Sequence, residues 1–396
     1  MRNVEQIPHF LKYMGAKRDI LAEIDEAVRS LNVDSTCFCD LFAGTSVVSY
    51  AMSDMYDVIS NDIQAYSSVF ARTYFADFSR YTDHPVLVGD ILKQAESHKE
   101  ELDKLLATLG NVLRHTEYMS FEDFEKCEYW QQGLINSSLE GNYILFTKFY
   151  SGTYWSLEQC QWIDSIRKVA DACDDPDLKD AIMSSLIFAM SYSSQSTGHF
   201  AQFRKITERN YMDILSYRRR PIPDMFARKL TEILSVIVNS GSHNKVATTM
   251  DYVDCLNKIP RNAIVYADPP YSNVHYSRFY HAVETLVKYD YPKLKYTGRY
   301  RSDRHQSPFD QKTAVKVAFR NLFAGVINAG AHLVLSYSDN GMLTPDEIME
   351  LAGEMFGDAY DSDIFEKDYS HMKMGRSDEY KMDVKELLLT FKRRSI

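Results

Sequence analysis

Two rhythms of apolar and polar positions run along the chain. Short runs rich in β-branched and aromatic residues predict strands at Phe38-Cys39-Asp40-Leu41-Phe42, at Tyr56-Asp57-Val58-Ile59-Ser60, at Ala263-Ile264-Val265-Tyr266-Ala267, and over 331–338 and 384–391. In the last of these, alternation is broken by Leu387-Leu388-Leu389. Helical spacing places Ile20, Leu21, Ile24 and Val28 on one face of a helix beginning near Arg18. Further helices are predicted over 95–112, 162–173, 177–192, 312–327 and 349–356, with a surface hairpin or loop over 368–381. Strands and helices alternate at both ends of the chain, which predicts an α/β fold with one sheet covered by helices on both faces. Between about residues 93 and 244 the pattern is mainly helical and too long for a simple connection.

Chemistry concentrates where strands end. Asp268-Pro269-Pro270-Tyr271 follows the strand at 263–267, and in open α/β sheets ligands bind at such ends. Asp268 offers an acidic acceptor, the prolines hold the backbone extended with the Pro269 carbonyl as a second acceptor, and Tyr271 adds an aromatic face. That set suits an exocyclic amino group on a flat base, adenine N6 or cytosine N4. Asp40-Leu41-Phe42-Ala43-Gly44-Thr45 is a strand running into a small-residue turn, where Gly44 permits close backbone approach. Asp62 lies beyond the next strand, about where an acid would bind ribose hydroxyls. The single glycine and the lack of a following Lys-Ser/Thr pair exclude a dinucleotide fingerprint and a phosphate loop, leaving a ligand with ribose and adenine but no phosphate. Near the N-terminus, Lys17 suits a carboxylate and Tyr13 can cover part of a ligand.

With these three stretches the chain resembles the alpha-group, Dam-like adenine-specific DNA methyltransferases that use S-adenosylmethionine. Phe10-Leu11-Lys12-Tyr13-Met14-Gly15-Ala16-Lys17 is similar to the family's N-terminal cofactor motif, the stretch from Asp40 to Thr45 to its glycine motif, and Asp268-Pro269-Pro270-Tyr271 to its catalytic motif. The resemblance implies a Rossmann-like methyltransferase sheet, with residues 1–92 and 245–396 forming the catalytic domain. Residues 93–244 would form a helical insertion for target recognition. It also implies roles: Tyr13 and Lys17 flanking the methionine moiety, Asp40 near its amino group, Phe42 and Gly44 lining the cofactor, Asp62 on the ribose, and Asp251 on the adenine, with Asp254 and Asp90 as rivals for that last place. Ser46 and Ala16 depart from the family pattern, where glycine is usual.

The net charge of −10 does not favour DNA, but its distribution does. Residues 201–230 carry eight bases against three acids, and residues 288–305 carry six against two, interleaved with tyrosines. Arg204, Arg218, Arg219, Arg220, Arg299 and Arg301 are expected to meet phosphates, together with Tyr276 and Arg278 after the catalytic loop. Gln195, Gln202 and Arg204 are candidates for reading base edges. His275 and His281 are expected to be structural. The six cysteines lack metal-site spacing, and there is no signal peptide or long apolar run, so no metal, no membrane, reduced thiols and a cytoplasmic location are expected.

The function these observations converge on is site-specific transfer of a methyl group from S-adenosylmethionine to N6 of a flipped adenine in double-stranded DNA, by direct in-line displacement. A separately encoded restriction endonuclease is a possible partner. The alternatives are a methyltransferase acting on RNA or another amino group, and a silent DNA-binding module.

Overall fold

The computed structural model describes residues 6–196, 199–239, 241–271, 275–339, 341–367 and 386–394. Its centre is a seven-stranded sheet made of β1 (Cys37–Asp40), β2 (Asp57–Asp62), β3 (Lys245–Thr249), β4 (Ile264–Ala267), β7 (His332–Ser338), β8 (Tyr360–Lys367) and β9 (Glu386–Arg393). β5 (Leu294–Lys295) and β6 (Tyr300–Arg301) form a separate antiparallel hairpin. The sheet order is β3-β2-β1-β4-β7-β9-β8. The first five strands run parallel, and β9 joins antiparallel to both β7 and β8. This is the α/β sheet expected from the alternating rhythm.

Period-two alternation sorts the strand side chains into two cores. Phe38, Tyr266, Val334 and Leu388 join one cluster, while Cys39, Val265, Leu335 and Leu389 join the other. The leucine run of β9 thereby loses its oddity, since a strand covered on both faces has no polar side to alternate with. Helices Val315–Ala329 and Pro345–Phe356 cover the second face through Leu322, Phe323, Ile348 and Phe356. The first face takes Leu21–Ser30 and Ala65–Phe75, and also Leu157–Asp171, Pro176–Ser193 and Ile222–Val236 from the central interval. Ile166, Ile187 and Phe226 of that interval are buried in the same cluster as Phe38 of β1.

Local chemistry explains where elements depart from the expected bounds. The helix expected over 95–112 spans His84–Ala107, because Asp83 caps it, Pro85 fits its first turn, and the chain leaves it toward Gly110 at φ +91°. β3 escaped notice because it is a half-exposed edge strand without an apolar run. Asp251 caps the short helix Tyr252–Leu256 through its bond from the Val253 N–H. The expected 368–381 hairpin lies outside the described residues.

Candidate active site

A cleft of about 1070 Å³, including its open mouth, lies at the carboxyl ends of β1, β2 and β4. It is lined by Tyr13, Lys17, Asp40, Phe42, Gly44, Asp62, Asp251, Asp268, Pro269, Pro270, Tyr271 and Tyr276. Parallel strands point these ends the same way, so residues up to 263 positions apart in sequence meet in one cleft. Asp254 and Asp90, the rivals of Asp251, are exposed to solvent.

Backbone donors hold the β1–β2 wall. Asp62 accepts from the Gly44 N–H at 2.9 Å and the Gln64 N–H at 2.8 Å. Gly44 sits at φ +51°, where a side chain is strained, and a Cβ there would crowd the Tyr13 hydroxyl at 3.1 Å. Tyr13 is stacked against Tyr280 and Tyr276, with ring centroids at 4.7 and 5.6 Å. Asp40 Oδ2 accepts from Ser49 N and Oγ at 3.1 and 2.7 Å, whereas its buried Oδ1 has no hydrogen-bond partner. Burial pushes the Asp40 carboxyl up to about 7 and the Asp62 carboxyl up to about 6.

The two departures from the family pattern have different outcomes. Ala16 has φ −56° and needs no glycine. Ser46 is left-handed at φ +58° and wholly buried, with Oγ donating to the Ser67 carbonyl at 3.2 Å. That bond offsets part of the roughly 1 kcal/mol that a side chain costs in this region.

Side-chain charges hold the wall around Asp268. Lys17, only 5% exposed, places Nζ 3.1 Å from Asp268 Oδ1 and donates a close bond to Glu386 Oε1. Ser336 Oγ on β7 donates to the same Glu386 oxygen at 2.9 Å. Burial raises the Asp268 carboxyl above the usual range, Lys17 opposes that, and Glu386 adds to it. Tyr271 packs edge-on against Tyr337 at 6.1 Å. The sequence reading missed Glu386 and Ser336. A lone acid opening an apolar strand was the available signal.

A family model described as D12 class N6 adenine-specific DNA methyltransferase matches residues 13–335. The chain belongs to this family. Modification methylase StsI of Streptococcus sanguinis is 24% identical over 352 residues, 87% of this chain and 46% of that protein. Type II methyltransferase M.FokI of Planomicrobium okeanokoites is 25% identical over 350 residues, with 85% and 46% covered. The chain therefore spans about half the length of these relatives. Type II methyltransferase M.NlaIII of Neisseria lactamica is 22% identical over 382 residues, 93% of this chain and 94% of that protein.

Outside the cleft, the chain treats its basic residues unevenly. Arg219 and Arg278 are exposed, Arg219 lying 3.5 Å from Glu117 and Arg278 stacking 5.5 Å over Tyr300. Arg220 stacks 3.7 Å over the Tyr217 ring, Arg204 pairs with Asp213, and Arg299 donates to the Gln132 carbonyl at 3.3 Å. The expectation of a phosphate contact is corrected at two positions. Arg218 has a side-chain exposure of 0% and forks onto Glu128 at 2.7 and 2.6 Å. Arg301 is buried against Asp290 and Asp303. Both guanidinium groups are spent on carboxylates of the chain itself, Arg218 on the buried Glu128 and Arg301 on the exposed Asp290 and Asp303. Gln195 is likewise buried, bonding the Thr153 carbonyl and the Arg204 N–H, so it reads no base edge, while Gln202 is exposed.

His281 is structural, as expected: buried, with Nε2 donating to the Phe200 carbonyl at 2.8 Å and burial lowering it to about 3. His275 pairs with Asp310 at 2.7 Å. All six cysteines are free thiols, no metal-holding cluster occurs among the described residues, and none of their helices is long and apolar enough to cross a membrane.

Proposed function

We propose that this protein is a site-specific DNA N6-adenine methyltransferase of the Dam-like alpha order, using S-adenosylmethionine. The observation that carries the reading is the convergence of Asp268-Pro269-Pro270-Tyr271 with Asp40, Gly44, Asp62 and Asp251 in one cleft. The residues present fit the cofactor. Asp40 Oδ1 is a buried acceptor lacking a donor, as an amino group would supply, and Gly44 keeps open a cradle that a Cβ would close. Asp62 would take ribose hydroxyls, Asp251 the adenine, Phe42 would line that end, and Tyr13 and Lys17 would bound the methionine end. When bound, the cofactor supplies an electrophilic methyl on a sulfonium.

The chain's own task is to prepare the nucleophile. The lone pair of adenine N6 is delocalised into the ring. With Asp268 and the Pro269 carbonyl each accepting one N6 hydrogen, the nitrogen is drawn toward tetrahedral geometry, its lone pair directed away from both acceptors. The carboxylate also offsets positive charge developing on nitrogen, which in a water-poor pocket is worth several kcal/mol of barrier. Tyr271 would replace stacking that the base loses on leaving the duplex. Residues 93–244 are the proposed recognition region, with Arg204, Arg219, Arg220, Arg278 and Arg299, and Tyr276 at the cleft, meeting DNA. The relatives' designation as modification methylases supports a separately encoded endonuclease as partner.

The test is modification sequencing of DNA from a methylation-free bacterial host expressing the chain, beside the same host expressing Asp268→Ala. The expected result is N6-methyladenine at one sequence motif, absent with the variant. Unmarked DNA from the unaltered chain overturns the reading.

A further inference from the structure

Asp268 is not paired in the simplest way. Its Oδ1 is buried and lies 3.1 Å from Lys17 Nζ, yet makes no hydrogen bond of acceptable geometry. Lys17 instead directs its bond to Glu386, which Ser336 holds from the other side. Glu386 stands opposite Ser338 in the β7–β9 ladder, so the sheet itself fixes its place. One ammonium is thus shared by two carboxylates, and the nearer one does not belong to the catalytic motif.

We infer that Glu386 is a positioning residue for methyl transfer: it draws the Lys17 N–H away from Asp268 Oδ1, so that Lys17 balances the charge of Asp268 without a strong bond to it and the carboxylate keeps its strength as an acceptor for the N6 hydrogen. The inference rests on the adenine reading of the cleft. Without Glu386, Lys17 would close onto Asp268 Oδ1 and draw charge from the carboxylate, weakening it as an acceptor for the base. The other titratable groups facing this trio are Tyr266 from β4, Tyr271 from the catalytic loop, Tyr276 from the following helix, and Asp40 from β1. Lys17 is therefore the cation through which Glu386 acts. Removing the Glu386 charge leaves Asp268 alone with that cation and makes it harder to protonate.

The experiment compares the full chain with Glu386→Gln and Glu386→Asp in single-turnover methylation of DNA carrying the modified motif, across pH. Glu386→Gln is expected to lower the rate about tenfold or more, with cofactor Kd and DNA KM within about twofold of the unaltered chain. The acid limb of its pH profile should move down by about one pH unit, and Glu386→Asp should restore the limb. Glu386→Met, uncharged and close in size, should move the limb the same way, and serves if Glu386→Gln does not fold. A limb at its original pH in the folded variants overturns the inference, whether the rate is unchanged or falls together with cofactor affinity and thermal stability. Failure of the unaltered chain to methylate adenine removes the underlying reading, and the inference with it.

Discussion

The cleft and the arginine-rich segment around residues 204–220 hold the two densest sets of functional candidates, and the fold treats them in opposite ways. In the cleft, every favoured cofactor and catalytic candidate lines one cavity, from Tyr13 to Tyr271, and only the rivals Asp254 and Asp90 fall outside it. In the arginine segment, three consecutive guanidinium groups part company: Arg218 is buried on Glu128, Arg219 is exposed, and Arg220 lies over Tyr217. Strand ends inherit their direction from hydrogen-bonded neighbours, whereas side chains at the end of a short helix fan out through about 100° per residue. Convergence is thus a property of the sheet, and a run of like charges predicts no common destination.

The contrast is sharpest if the two regions fail differently when altered. Asp268→Ala should lower turnover by roughly 10³- to 10⁴-fold in a methyl-incorporation assay while cofactor binding by calorimetry stays within a few-fold. Arg218→Ala should show the reverse, losing about 3–5 kcal/mol in denaturant unfolding because the buried Glu128 carboxylate loses its cation and keeps only His115 beside it. A surface role for Arg218 would instead leave stability intact. Asp62→Ala should weaken cofactor binding about tenfold or more, since two backbone donors and a ligand hydroxyl lose their acceptor together. Unchanged affinity would remove the ribose assignment.

A pH effect tests the cleft without a ligand. Asp40 and Asp62 are raised by burial to about 7 and about 6, so between about pH 4 and 7 the folded chain binds more protons than the unfolded chain. Their contribution to stability therefore falls as pH rises through that window, and the fall in melting temperature from pH 5.5 to 7.5 should be smaller in Asp40→Asn. The smallest effect belongs to the exposed arginine: Arg219→Ala should leave stability unchanged and reduce the slope of log DNA affinity against log salt by about one. An unaltered slope would make Arg219 an ordinary surface residue.

How much was legible follows from range. The β1 turn, Asp62 and the Asp268 loop each combine a strand signal with a nearby functional residue, so a window of some twenty residues suffices. Glu386 offered no comparable local cue, because its meaning comes from Lys17 and Ser336, which reach it across the sheet. Arg218 was misjudged because burial depends on Glu128, ninety positions away. Ser46 was recognised as a departure, but only its positive φ and its bond to Ser67 show how the turn tolerates a side chain.

The bond between Lys17 and Glu386 spans 369 positions of sequence. On the ribosome, the strand bearing Glu386 emerges only after β1 to β4 and the Asp268 loop have been made. A nascent chain therefore has its catalytic aspartate long before it has the residue that keeps Lys17 off it. On the reading proposed above, competence for methyl transfer waits for β9, and fragments lacking β9 would be expected to grasp the cofactor without using it well.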